Sequence, residues 1–258
     1  MYQSRIPDKY RIGKTYISIT SPQNTINLIV EAVEKGISTY ICVSNLRSVC
    51  YASSHPDYNE IMKASYLNTP DGMPLIWMAR LWGLKDVYRT MGPELFVTML
   101  KNPNNGLKHF LLGDTDDTLL KIKSEYIKKY GALIVGTFSP PFINVDKYDY
   151  FAIAKMINDS NADIVWVSMT APKQDYFAVN IKPLLNSKVL IGVGAAFRYS
   201  IGEYKLPGKF AQKIGLTGLF MRKKSWELFK CYVKHVLRLF EFSFKIIYRR
   251  FNGKKYYE

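Results

Sequence analysis

Along residues 1–204, apolar positions gather into short β-rich runs separated by longer stretches with helical spacing. The runs are Thr39–Val43, Leu107–Leu112, Leu133–Val135, Asp163–Val167 and Lys188–Val193. Between them, Asn24–Lys35, Asp116–Tyr130, Tyr148–Asn158 and Lys173–Leu185 read as helices. A further short strand is expected at Ala64–Leu67, ahead of an apolar helix that starts near Pro74. Strands that alternate with helices of about ten residues or more pair in parallel, because each parallel pair needs a crossover connection. The pattern therefore predicts a Rossmann-like α/β core over residues 1–204 with a mainly parallel sheet. Ligands of such sheets collect at the carboxyl ends of the strands, where Asn45, Asp71, Gly113, Ser168 and Gly194 fall.

Past Pro207 the alternation stops, and Ser225–Arg250 is strongly helical. Its charges at Glu227, Lys230, Lys234, Arg238, Glu241, Lys245 and Arg249 recur in steps of three or four, which places them on one stripe of a helix. Most of the remainder is large and apolar, including Trp226, Phe229, Phe240, Phe244 and Phe251. A basic stripe backed by aromatics describes a helix lying in a membrane interface. A helix packed on its own core with a solvated basic face is the competing structural reading. Charge tips the balance: of a formal net +15, residues from Lys205 onward contribute 14 Lys+Arg against 3 Asp+Glu, or +11. Residues 205–258 are thus expected to form a basic amphipathic helical appendage, with an anionic membrane surface meeting 222–251. A nucleic-acid-binding protein is the alternative, and it predicts basic residues interleaved with aromatics along a groove. The continuous apolar backing here favours lipid, so no nucleic-acid partner is expected.

The rest of the composition narrows the chemistry. With 48% hydrophobic and 22% charged residues the chain should fold. Its N-terminus lacks a signal-peptide core, and no run of about 18 apolar residues predicts a membrane span. Three cysteines and three scattered histidines show no metal-ligand spacing, which suggests a reducing compartment and no protein-ligated metal.

Five segments are candidates for chemistry. Thr69–Pro74 (Thr-Pro-Asp-Gly-Met-Pro) holds Asp71 between a φ-restricting proline and a permissive glycine; its structural reading is a turn or helix-cap aspartate. Asn45 ends the run Ile41–Asn45 and offers hydrogen bonds to a sugar or base, or simply forms a turn. Arg89 precedes the Gly92-Pro93 helix start, an arrangement suited to phosphate, against the alternative of a surface arginine. Gln174, in Ala171–Asp175, carries both a donor and an acceptor for a uracil edge or sugar hydroxyl. Gly192–Phe197 begins like a dinucleotide fingerprint, but Phe197 replaces the third glycine and the segment lies late in the chain. An NAD(P)-dependent oxidoreductase is accordingly the weaker alternative.

Together and in this order, these segments resemble the WecG/TagA/CpsF family of bacterial glycosyltransferases. The resemblance runs from about Thr39 to Arg222, through Val43-Ser44-Asn45, Pro70-Asp71-Gly72, Arg89 with Gly92, Gly113, Pro172-Lys173-Gln174 and Gly192-Val193-Gly194-Ala195-Ala196-Phe197. It implies an inverting enzyme that moves a sugar, often N-acetylmannosamine, from a UDP donor onto a polyprenyl-diphosphate-linked saccharide. It also implies work at the cytoplasmic face of the plasma membrane as a peripheral protein, without a tightly bound cofactor or metal, in capsule, exopolysaccharide or teichoic acid synthesis. By the resemblance Asp71 is the base, Arg89 faces the leaving diphosphate, and Asn45 and Gln174 lie against the donor. Gly113 and Gly194 allow close backbone approach, and Arg222 serves a substrate diphosphate or a membrane phosphate. Three departures bear on donor identity. Val43 stands where many members have threonine, Arg198 where aspartate is usual, and Thr217-Gly218 where Glu-Trp is usual. The sequence leaves homo-oligomer formation open.

Overall fold

The computed structural model describes residues 6–102, 106–206, 208 and 226–257. Six strands, β3 (Thr39–Ser44), β4 (Leu67–Pro70), β5 (His109–Gly113), β6 (Ile134–Phe138), β7 (Ile164–Ser168) and β8 (Val189–Gly192), form one sheet in the order β4-β3-β8-β7-β5-β6. Every pairing in it is parallel. The predicted α/β architecture is therefore present. Both faces of the central strands are covered, so these strands read as unbroken apolar runs, as parallel sheets do. Ile41, Leu111, Trp166 and Ile191 pack under α1 (Pro22–Glu34), α5 (Gly92–Leu100), α6 (Asp116–Tyr130) and α9 (Ala196–Ser200). Cys42, Phe110, Val165 and Leu190 meet α7 (Tyr150–Asp159) and α8 (Lys173–Ile181) on the opposite face.

Local chemistry sets the helix boundaries. In α6 the Thr115 side chain caps the first turn, Asp116 and Asp117 follow, Lys128 and Lys129 close the last turn, and Gly131 stops it at φ 68°. That is the charge order the helix dipole favours, with a left-handed glycine at the end. Ser21 caps α1 in the same way, with a proline in the first turn.

The edge beside β4 departs from the sequence expectation. Residues 9–18 form an antiparallel hairpin, β1 (Lys9–Ile12) and β2 (Thr15–Ser18), and two short helices, α2 (Leu46–Ser54) and α3 (Pro56–Ala64), follow β3. Ala64 thus ends a helix, and the strand expected at Ala64–Leu67 lies instead at Leu67–Pro70. The cause is polar content. Asn68 and Thr69 are fully buried in β4. Asn68 Nδ2 donates to the Tyr16 carbonyl (2.7 Å), and its backbone N–H donates to Ser18 Oγ (3.0 Å). The hairpin thus takes up two donors of this polar strand, while Asn68 Oδ1 and Thr69 Oγ1 stay buried without a hydrogen bond.

A third apolar cluster fills the space between the hairpin, α2, α3, α4 (Met73–Leu81) and the long helix α10 (Trp226–Phe251). Phe242 and Ile246 of α10 are buried there with Tyr10, Ile12, Val49 and Trp82. Arg250 Nη1 donates to the Leu81 carbonyl at 2.7 Å, a cation on the carbonyl end of α4. The Arg11 N–H donates to the Tyr256 carbonyl (2.6 Å). One face of the basic helix is therefore docked on the core. Its opposite face, bearing Leu237, Phe240, Phe244, Ile247, Tyr248 and Phe251, is exposed. Among the described residues no helix is long and apolar enough to cross a membrane.

Candidate active site

A cleft of about 260 Å³ opens at the carboxyl ends of β3, β4, β7 and β8, where parallel sheets place ligands. Asn45, Asp71, Arg89, Gln174 and Gly194 all line it. These residues come from five separate parts of the chain.

Asp71 follows β4 directly. Its N–H donates to the Ser44 carbonyl (2.7 Å), which extends the β3–β4 ladder by one step and aims the residue out of the strand end. Arg89 Nε donates to the Asp71 carbonyl at 2.7 Å, and the Thr90 N–H to the Pro70 carbonyl at 2.8 Å. The Asp71 backbone is thus held at its N–H by β3 and at its carbonyl by the Arg89 side chain. Gly72 is the N-cap of α4 at φ −115°, an extended backbone that any residue adopts. The freedom expected of this glycine is not used. Burial pushes the Asp71 carboxyl from an ordinary 3.8 up to about 6, with Arg89 opposing the rise and Glu94 adding to it. A carboxyl poised there is ionised at neutral pH and basic enough to accept a proton.

Asn45 caps α2: its Oδ1 accepts from the N–H groups of Arg47 (3.0 Å) and Ser48 (3.3 Å). Its carbonyl oxygen is therefore engaged in the cap, while its Nδ2 makes no hydrogen bond among the described residues. Gln174 is buried, and its Oε1 accepts from the Gly194 N–H at 2.9 Å. The acceptor that the sequence reading offered to a ligand is taken up in holding the Gly194 turn. Gly194 sits at φ 59°, and its carbonyl accepts from Ser168 Oγ at 2.7 Å. A Cβ at Gly192 would stand 2.7 Å from Gln174 Nε2, so this glycine serves side-chain packing, and α9 beyond it is only five residues long. Neither feature matches a dinucleotide fingerprint, which needs open glycines before a full helix.

Gly113 does not line the cleft. At φ 114° it lies against β7, and an added Cβ would collide with the Ser168 carbonyl oxygen. Its close approach is to a neighbouring strand. The next residue, Asp114, takes a two-pronged ion pair from Arg198 (Nε 3.1 Å, Nη2 2.9 Å). Arg222, Thr217 and Gly218 lie outside the described residues.

The cleft also contains residues the sequence did not announce. Arg47 stands in the first turn of α2, and Tyr199 stands in α9, its pKa raised by burial and, to a lesser degree, by the Asp71 charge. An N-cap at Asn45 would have pointed to Arg47, since it places that residue in the first turn. Nothing local marks Tyr199. The first turns of α2 and α5 border the cleft, with Arg47, Ser48 and Pro93 on its walls. The dipoles of these two helices add positive potential to that of Arg47 and Arg89. Among the described residues, no three His, Cys, Asp or Glu side chains converge as metal ligands.

Known proteins resemble this chain over most of its length. The N-acetylglucosaminyldiphosphoundecaprenol N-acetyl-beta-D-mannosaminyltransferase of Bacillus subtilis (strain 168) is 23% identical over 227 residues, covering 87% of this chain and 85% of that protein. The enzyme of the same description from Bacillus spizizenii (strain ATCC 23059 / NRRL B-14472 / W23) is 20% identical over 189 residues, covering 73% and 72%. The model of the glycosyl transferase WecG/TagA/CpsF family matches residues 10–256, from the first hairpin to just beyond α10. The chain belongs to that family and is a glycosyltransferase.

Proposed function

We propose that this enzyme transfers N-acetylmannosamine, or a closely related hexose, from a UDP-sugar to a polyprenyl-diphosphate-linked saccharide, with Asp71 as general base. The observation that carries the proposal is the joining, in one cleft, of a carboxyl poised at about 6 with Arg47, Arg89 and the N-termini of α2 and α5. The Asp71 carboxylate takes the proton of an acceptor hydroxyl. The freed oxygen pair attacks the anomeric carbon as the C1–O bond to UDP breaks on the opposite face, so the configuration inverts. UDP departs with the bonding pair, and its charge is met by the arginines and helix N-termini. Both relatives carry N-acetylmannosaminyl transfer and an undecaprenyl-diphosphate acceptor in their descriptions, which supports that choice of substrates here.

In this reading residues 1–204 carry the chemistry and 205–258 the contact with the cytoplasmic face of the membrane. The exposed apolar face of α10 supports the contact. Its docked face lies on α2 and α4, the helices whose N-termini border Asn45 and Asp71, so the cleft and the lipid-facing surface share one scaffold. The test is a donor screen: several UDP-sugars offered with a polyprenyl-diphosphate-linked N-acetylglucosamine acceptor, with product anomer assigned by NMR. Transfer from UDP-N-acetylmannosamine with inversion is expected. A retained configuration, or no transfer from any UDP-sugar, would refute the proposal.

A further inference from the structure

A second cavity, of about 380 Å³, lies between the β1–β2 hairpin and α10, and shares no lining residue with the active-site cleft. Five cations surround it: Arg11 and Lys14 from the hairpin, and Arg238, Lys245 and Arg249 from α10. Its single carboxylate, Glu241, pairs with Arg238 (3.2 Å) and Lys245 (2.5 Å). Five positive charges against one negative leave a net +4 around one concavity. Lys14 has no hydrogen-bond or ionic partner among the described residues. The hairpin is pressed onto the helix at this point. Gly13 sits at φ 60°, and a Cβ there would stand 2.9 Å from Phe242 Cε1. The cations from two distant parts of the sequence are thus brought together by tight packing beneath them.

The position of this cavity names its occupant. At 3.6 residues per turn, the exposed residues Leu237, Phe240, Phe244, Ile247, Tyr248 and Phe251 all lie within about 60° of the direction opposite Phe242. Arg238, Lys245 and Arg249 lie on the Phe242 side of the same helix, next to the hairpin. A helix is about 10 Å across. With its apolar strip at the acyl boundary, the basic cavity stands at the depth of the headgroup layer. We infer that this cavity is a binding site for the phosphate of an anionic phospholipid headgroup, built jointly by the N-terminal hairpin and α10. The inference rests on the membrane reading of α10 given above and goes beyond it, because it makes a loop of the catalytic core a lipid ligand.

The test uses the full chain and vesicles of phosphatidylcholine with and without phosphatidylglycerol, read by co-sedimentation at physiological ionic strength. Lys14→Gln and Lys245→Gln should each weaken binding to the anionic vesicles about fivefold, the scale of one basic residue at a charged bilayer. Lys234→Gln, on α10 but outside the cavity, should change it less than twofold. Lys14 is exposed and unpaired among the described residues, so its replacement leaves the fold intact. Equal losses for Lys234→Gln and Lys14→Gln would show a diffuse charge field and overturn the site. Unchanged binding by Lys14→Gln would overturn it as well. If inorganic phosphate stabilised the wild type but not Lys14→Gln, while vesicle binding ignored Lys14, the cavity would be a free-phosphate site and the lipid assignment would fall. Failure of the wild type to bind either vesicle would overturn the membrane reading itself, a result distinct from failure of the cavity.

Discussion

Replacing Asp71 by Asn separates what this residue does for chemistry from what it costs the fold. Its pKa rises from an ordinary 3.8 to about 6 in the folded chain, chiefly through burial. A carboxyl with a raised folded-state pKa contributes stability fully below its unfolded value, and that contribution is lost as pH rises through the folded value. At about 1.4 kcal/mol for each pH unit between the two values, ionised Asp71 costs the fold about 3 kcal/mol above pH 7. Asn is nearly isosteric and carries no charge, so Asp71→Asn recovers that cost at pH 8. Near pH 4, where the wild-type carboxyl is protonated, the gain falls below about 1 kcal/mol. For a chain of this length, unfolding entropy of about 2.1 cal/mol/K per residue turns 3 kcal/mol into roughly 5 °C of Tm. Asp175, also raised to about 6 by burial, is common to both proteins and cancels in the comparison. The assay pairs calorimetric Tm at pH 4 and pH 8 with transfer kinetics and UDP-sugar binding. Expected are a Tm gain confined to pH 8, nearly unchanged donor affinity, and transfer slowed about 10²-fold or more. Wild-type turnover by the variant would remove Asp71 as base. A Tm gain equal at both pH values would refute the ionisation argument.

Three further outcomes follow from other contacts. Glu94 raises the Asp71 pKa, so Glu94→Gln should move the acid limb of the kcat/KM profile to lower pH; an unmoved limb would mean that another group titrates there. Gly113→Ala places a methyl against the Ser168 carbonyl at φ 114°, and should lower stability by roughly 1–3 kcal/mol in a denaturant melt while leaving donor KM unchanged. Phe240→Ser and Phe244→Ser, both on the exposed face of α10, should each weaken vesicle binding roughly tenfold without lowering Tm, since neither packs in the core.

How much of this was legible along the chain depended on where each residue finds its partners. Strands β3, β5, β7 and β8 announce themselves because both their faces meet apolar helices. β4 is displaced from its expected place because the partners of its Asn68 Nδ2 and backbone N–H, the Tyr16 carbonyl and Ser18 Oγ, stand some fifty positions away. Asp71, Asn45 and Arg89 are singled out by their places at strand ends and a helix start together with the family resemblance, and all three line the cleft. Gln174 lines the cleft too, with its Oε1 bonded to the Gly194 N–H, whereas Gly113 lies against the Ser168 backbone and outside the lining. A side chain's donors and acceptors are visible in the sequence; which of them the fold has already engaged is not.

By itself the sequence determined the parallel α/β core and the basic C-terminal helix, since spacing and charge are local properties. Tertiary structure alone decided the rest. It split the apolar residues of α10 into a docked face at Phe242 and Ile246 and an exposed face around Phe244. It brought Lys14 beside Lys245, and it enclosed Asp71 between Arg89, Glu94 and Tyr199 so that its carboxyl is poised at about 6. Burial and field are sums over neighbours distant in sequence, and only the folded chain supplies them.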